Sequence, residues 1–98
     1  MTTDFRYQAD MGFSRSELLK GLETAVHPYQ VKSLSANPIE IFMDDRTVRL
    51  LTGKDGYRAI ASMRIPQLAV TLEFSGFSQL QYDQFMDRFR KYLHKGGG

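Results

Sequence analysis

The tripeptide Gly-Phe-Ser occurs twice in this chain, at residues 12–14 and 76–78, and each time the spacing of the apolar residues changes around it. Before the first copy, apolar residues occupy every second position of residues 5–11, which is the period of a half-buried strand. After it they recur at intervals of three and four residues, as on one side of a helix. The two copies therefore predict two transitions from strand to helix, one near each end of the chain.

Each copy also carries the residues that begin a helix. Ser14 is followed three residues later by Glu17, and Ser78 is followed by Gln81, which is the spacing of a capping box. In that motif the serine hydroxyl accepts a hydrogen bond from the third N–H of the helix, and the Glu or Gln side chain accepts one from the serine N–H. We therefore interpret both serines as helix N-caps.

A β-hairpin is predicted between the two helices, at residues 39–50. Apolar and polar residues alternate there on both sides of Asp44-Asp45. A two-residue turn at that point places Glu40 opposite Arg49 and gathers the aliphatic residues on the other face. This register accounts for the charges and for the apolar residues together.

A second hairpin is predicted from residues 57–63 and 68–74. Its turn is expected at Ile65-Pro66-Gln67, because proline lacks the N–H that a strand ladder requires. This register points Ala59, Ala61 and Met63 towards the core. A further short extended piece is predicted within residues 29–34.

The order of these elements predicts an α+β fold. We expect a two-layer sandwich, in which an antiparallel sheet of about five strands carries two helices on one face, in the order β-α-β-β-β-β-α. The last helix is expected over residues 79–94, where apolar residues form a helical stripe. Ninety-eight residues suit one domain. We expect that domain at residues 1–95, followed by a flexible glycine tail at 96–98.

Residue patterns that support catalysis are missing from the sequence. The Gly-x-Ser stretches lack the glycine that a nucleophile elbow has two residues after its serine, where this chain has Ser16 and Leu80. There is no cysteine, the histidines are His27 and His94, and no paired acidic motif accompanies them. We therefore expect no enzymatic activity, no catalytic residues, no cofactor and no metal.

The sequence also bears on location. It contains no run of about 18 apolar residues, which a membrane-spanning helix would need. The first ten residues lack the basic and apolar regions of a secretory signal. The absence of cysteine is compatible with a reducing compartment. We expect a cytoplasmic protein that does not bind a membrane.

Two helices on one face of the sheet leave the other face open, and arginines stand among apolar residues on it. That mixture is typical of protein interfaces. We therefore expect a small non-enzymatic binding or accessory module, whose partner is another protein or a second copy of the chain. The candidate binding surface consists of Arg6, Phe42, Arg49, Arg58, Ile60 and Arg64.

Two alternatives remain open at this point. Arg49, Arg58 and Arg64 could bind an anionic ligand or single-stranded nucleic acid, although the net charge is only +2. The end of the chain, Lys95-Gly96-Gly97-Gly98, resembles the C-terminal Gly-Gly of ubiquitin-like sulfur carriers. This resemblance covers only the last residues, and it implies that Gly97 and Gly98 would be the site of activation.

The capping boxes generate the first testable prediction. Ser14→Ala and Ser78→Ala should each lower the free energy of unfolding by about 1 kcal/mol, because an N-cap hydrogen bond is lost while the fold is kept. Chemical denaturation followed by circular dichroism measures this. Denaturation curves identical to that of the wild-type protein would contradict the capping interpretation.

Overall fold

The structure is a computed structural model in which residues 4–93 are described. It confirms the α+β fold, with an antiparallel sheet and two helices on one of its faces. The sheet has six strands instead of about five, because residues 30–32 form a separate short strand. The elements are β1 (Phe5–Met11), α1 (Arg15–Val26), β2 (Gln30–Lys32), β3 (Ile39–Met43), β4 (Arg46–Thr52), β5 (Gly56–Ile60), β6 (Met63–Ser75) and α2 (Gln79–Tyr92).

Both helices begin at the predicted serines, and both capping boxes are present. The Ser14 hydroxyl accepts a hydrogen bond of 3.2 Å from the Glu17 N–H, and the Glu17 carboxylate accepts one of 3.1 Å from the Ser14 N–H. The same two bonds join Ser78 and Gln81, at 3.2 and 2.9 Å. Two of the N–H groups that a helix start leaves without a partner are thereby satisfied at each site.

The core lies between the sheet and the two helices. Alternate residues of β3, β4 and β6 point into it and are fully buried, which is the period expected of a sheet covered on one face. The aromatic ring of Phe74 on β6 meets that of Phe85 on α2 edge-to-face, at 5.2 Å between centroids. The inward residues of these three strands are Ile39, Ile41, Val48, Leu50, Leu68, Val70, Leu72 and Phe74.

The strands follow the spatial order β1-β6-β4-β3-β2, and β5 pairs with β6 beyond this row. The first predicted hairpin has the predicted register: β3 and β4 are joined at Asp44-Asp45, and Glu40 lies opposite Arg49. Asp44 adopts a positive φ of 56° in this turn, a conformation that aspartate tolerates better than most residues do.

The second predicted hairpin turn was wrong. The chain turns at Ala61-Ser62, where Ile60 pairs with Met63, and β6 runs without interruption through Pro66 to Ser75. Pro66 is tolerated inside this strand because its nitrogen faces the side on which β1 has already ended, so no ladder bond is required of it.

The displaced turn also changes which residues are buried. Ala59, Ala61 and Met63, which were expected to face the core, are exposed. The first five residues of β6 pair only with β5 among the described strands, whereas the rest of β6 lies between β1 and β4. We call residues 56–67 the arm: a two-stranded ladder of five residue pairs that projects from the sheet.

A glycine next to the second helix start generates a prediction. Gly76 has a φ of +82°, and a Cβ placed there would lie 2.5 Å from the Asp45 carbonyl oxygen. Gly76→Ala should therefore lower the free energy of unfolding by about 1–3 kcal/mol. Gly12, at the matching position before α1, has no positive φ. Gly12→Ala is the control and should change stability by less than about 0.5 kcal/mol. Equal denaturation midpoints for the two variants would contradict this account.

Candidate functional site

The sheet face away from the helices is exposed, and we call it the open face. A row of charged residues crosses this face. It contains one residue from each of the five strands that lie side by side in the order β1-β6-β4-β3-β2. Direct cross-strand pairing links each member to the next. The members of this charge row, in order, are Arg6, Glu73, Arg49, Glu40 and Lys32.

The charges in this row alternate in sign, so each basic residue has an acidic neighbour. Arg49 lies between Glu40 and Glu73, and its Nη1 atom is 3.5 Å from Glu73 Oε1. Opposite charges on paired strands stabilise a sheet, and they also reduce the positive potential that a phosphate would meet. The row therefore helps to hold the strand order and is close to neutral as a whole.

Two apolar side chains accompany the charge row on the open face. Phe42 on β3 is half-buried and lies between Gln30 and Thr47, as expected from the sequence. Leu51 on β4 is also half-buried and lies opposite Thr71. Leu51 was not among the predicted binding residues, although the strand period, with Leu50 pointing inwards, places it on this face.

The other predicted binding residues, Arg58, Ile60 and Arg64, lie on the arm, but not all on the same face. Arg58 and Ile60 lie on one face of the arm, opposite Ile65 and Met63. Arg64 lies on the other face, because the turn is at Ala61-Ser62.

Arg64 contacts an aromatic residue that the sequence analysis missed: its guanidinium lies over the ring of Tyr57, at 4.4 Å from the centroid. Of the three arginines proposed as one anion site, Arg49 lies in the body of the sheet, and Arg58 and Arg64 lie on opposite faces of the arm. They form no single cluster.

The arm exposes an unusual amount of apolar surface. Tyr57 is 63 % exposed, Ile60 47 % and Met63 62 %, and these are half of the six large hydrophobic residues that are exposed among residues 4–93. Ile60 and Met63 are cross-strand partners next to the turn, so their side chains form one patch at the tip. Exposed apolar side chains are therefore concentrated on the arm.

A hollow of about 210 Å³ lies where the arm leaves the body, on the Arg58 and Ile60 face. Asp10 and Met11, at the end of β1, form its other side. Ile65 lies in its wall and is half-buried, whereas the residues nearer the tip are exposed. The apolar face of the arm is therefore continuous from the hollow to the tip.

A larger cavity, of about 320 Å³, opens at the other end of the sandwich beside the ends of α1 and β3. The Nη1 atom of Arg46 donates a hydrogen bond of 2.9 Å to the Tyr29 hydroxyl, and the Tyr29 ring meets the Phe85 ring edge-to-face. Burial raises the pKa of Tyr29, and the guanidinium of Arg46 opposes that rise. The hydroxyl therefore stays protonated at neutral pH and acts as the acceptor for Arg46.

Within residues 4–93, no three His, Asp or Glu side chains stand close enough together to hold a metal ion. In the same part of the chain, no helix combines the length and the apolar character needed to cross a membrane. His94 and the glycine tail with Gly97 and Gly98 lie outside the described residues.

Comparisons with known protein families, with curated proteins and with solved structures found no match to the chain.

The charge row generates a prediction about stability. Arg49 and Glu73 are partly exposed, so their interaction is screened by solvent. A double-mutant cycle with Arg49→Ala and Glu73→Ala should give a coupling free energy below about 1 kcal/mol. That coupling should shrink in about 1 M NaCl, where charges are screened within about 3 Å. A larger coupling that salt leaves unchanged would show that the pair acts as a buried ion pair.

Proposed function

We propose that the protein is a non-enzymatic binding module that engages another protein through the arm. The observation that supports this most directly is the apolar patch of Ile60 and Met63 at the tip of a ladder that projects from the sheet, with Tyr57 exposed on the opposite face of that ladder. Apolar and aromatic side chains that become fully covered supply most of the binding free energy of protein interfaces. The arm presents such side chains where a partner can reach them.

The architecture of the arm supports the same proposal. A two-stranded ladder is marginally stable in water unless another strand or a packed face supports it. The arm extends beyond the end of β1, and its residues 57–64 are all exposed. A bound partner would cover these side chains and would stabilise the ladder. The open face lies on the same side of the sheet as Ile60 and can extend the contact.

The nucleic-acid alternative has less support from the geometry. Arg49 stands between two glutamates, and Arg58 and Arg64 lie on opposite faces of the arm. A groove for single-stranded nucleic acid combines a continuous basic surface with several aromatic rings on which bases stack. Tyr57 is the exposed ring nearest to these arginines, and its face is covered by Arg64.

The test compares the arm with matched surface residues elsewhere. The double variant Ile60→Ser, Met63→Ser should bind the partner at least about tenfold more weakly, because two covered apolar groups are lost. Leu80 on α2 is 66 % exposed, so Leu80→Ser is the control for loss of an exposed apolar residue outside the arm. Phe42→Ala tests the open face separately.

The measurement uses the full chain as bait in extracts of the source cell, followed by affinity measurement with the purified partner. Sedimentation of the bait alone tests self-association with the same variants. If Phe42→Ala loses binding and the Ile60→Ser, Met63→Ser variant does not, the binding site lies on the open face instead of the arm. Binding of an unstructured oligonucleotide that falls steeply with salt and is lost in Arg58→Ala would favour the nucleic-acid alternative.

A further inference from the structure

We propose that the outer edge of β5 binds an extended acidic segment of the partner protein as an added antiparallel strand. This inference rests on the proposed function and specifies its partner and its mode of binding. It follows from the direction of the backbone groups along the arm, from the position of Pro66 and from the charge of the arm.

The hydrogen bonds of β6 show which of its residues face which side. The carbonyl of Phe74 accepts a bond of 2.7 Å from Asp4 on the β1 side, and that of Ala69 accepts one of 2.9 Å from Gly53 on the β4 side. Because neighbouring residues of a strand alternate, even-numbered residues of β6 face the β1 side and odd-numbered residues face the β4 side. On the arm, the odd-numbered residues of β6 therefore pair with β5.

The two outer edges of the arm follow from this alternation. On β6, Arg64 and Pro66 direct their backbone groups outwards, and Pro66 has no N–H to donate. Proline at this position blocks strand addition, as it does on many edge strands. On β5, Tyr57 and Ala59 direct their N–H and carbonyl groups outwards. Among the described strands, none but β6 pairs with β5. The outer edge of β5 is therefore the edge that can accept a strand.

The charge of the arm indicates what kind of strand fits. Residues 56–67 include Arg58 and Arg64 and no acidic residue. Asp55, just before the arm, accepts a hydrogen bond of 2.7 Å from the Arg15 N–H at the start of α1. A second copy pairing through β5 would bring two basic arms together, which like charges disfavour. An acidic residue opposite Arg58 is favourable.

The face of β5 that carries Arg58 also carries Ile60, two residues further on. In an antiparallel strand, an apolar residue would lie opposite Ile60 and an acidic one, two positions later, opposite Arg58. The segment is thus defined as an extended stretch with the pattern apolar-x-acidic. Main-chain hydrogen bonds supply affinity and these two side chains supply selectivity.

The test uses the full chain and a fluorescein-labelled probe peptide, Ser-Thr-Val-Thr-Glu-Thr-Ser, with blocked ends. The proposal expects saturable binding by fluorescence polarisation, at least about tenfold weaker when the peptide carries Lys in place of Glu. It also expects the amide protons of Tyr57 and Ala59 to exchange more slowly with solvent when the peptide is bound. This exchange measurement requires no variant.

Two substitutions at one position provide the matched control. Ala59→Pro removes an N–H that β6 does not use, so the ladder is kept, and peptide affinity should fall about tenfold or more. Ala59→Val keeps the N–H and should bind within about threefold of the wild-type protein. Far-UV circular dichroism shows whether the Ala59→Pro variant is folded. If it is not, the amide exchange of Tyr57 and Ala59 in the wild-type protein still tests the proposal.

The possible results distinguish strand addition at β5 from the proposed binding of a partner by the arm. Equal binding of the Glu and Lys peptides, no binding up to about 1 mM peptide, or unchanged affinity in Ala59→Pro would overturn strand addition by an acidic segment. So would dimerisation that Ala59→Pro abolishes, because the occupant would then be a second copy. If the partner is nevertheless lost in the Ile60→Ser, Met63→Ser variant, the arm remains the binding element. If that variant also binds normally, the proposed function fails.

Discussion

The long strand β6 holds this structure together. It is 13 residues long, and it pairs with β1 and β4 in its C-terminal part and with β5 in its N-terminal part. Its inward side chains, Leu68, Val70, Leu72 and Phe74, are fully buried and form the centre of the core. Because the strand that carries the core continues into the arm, the direction of the arm is determined by the same ladder that determines the sheet. The candidate binding element is thus an extension of the most strongly held part of the molecule.

The parts of the fold that depend on neighbouring residues were predictable from the sequence. The two capping boxes and the turn at Asp44-Asp45 are formed by residues within a few positions of one another, and the structure confirms all three. The second hairpin turn was wrong because a local rule about proline was applied without knowledge of the neighbouring strand. Whether Pro66 has to donate a ladder bond depends on where β1 ends, and β1 is more than fifty residues away in the sequence.

In the candidate site, too, the features that depend on neighbouring residues were predictable and those that depend on distant strands were not. The strand period places Arg6, Phe42 and Arg49 on the open face, and the structure agrees. The charge row could not be predicted, since it joins residues of β1, β6 and β4 whose order in the sheet the sequence does not reveal. The arm was missed for a different reason. Alternating apolar residues indicate that one face of a strand is covered, but they do not indicate whether the cover belongs to the same chain or to a partner.

The pairing of β1 with β6 has a consequence for biosynthesis. Phe5 pairs with Phe74, so the first strand leaves the ribosome long before its only described neighbour has been made. At about 5–20 residues per second, β1 waits for several seconds with its backbone groups and its Phe5, Tyr7 and Met11 side chains uncovered. The sheet therefore cannot be completed until β6 has been made. During that interval β1 presents an unpaired strand edge and uncovered apolar side chains, the kind of surface that makes an incomplete chain prone to aggregation.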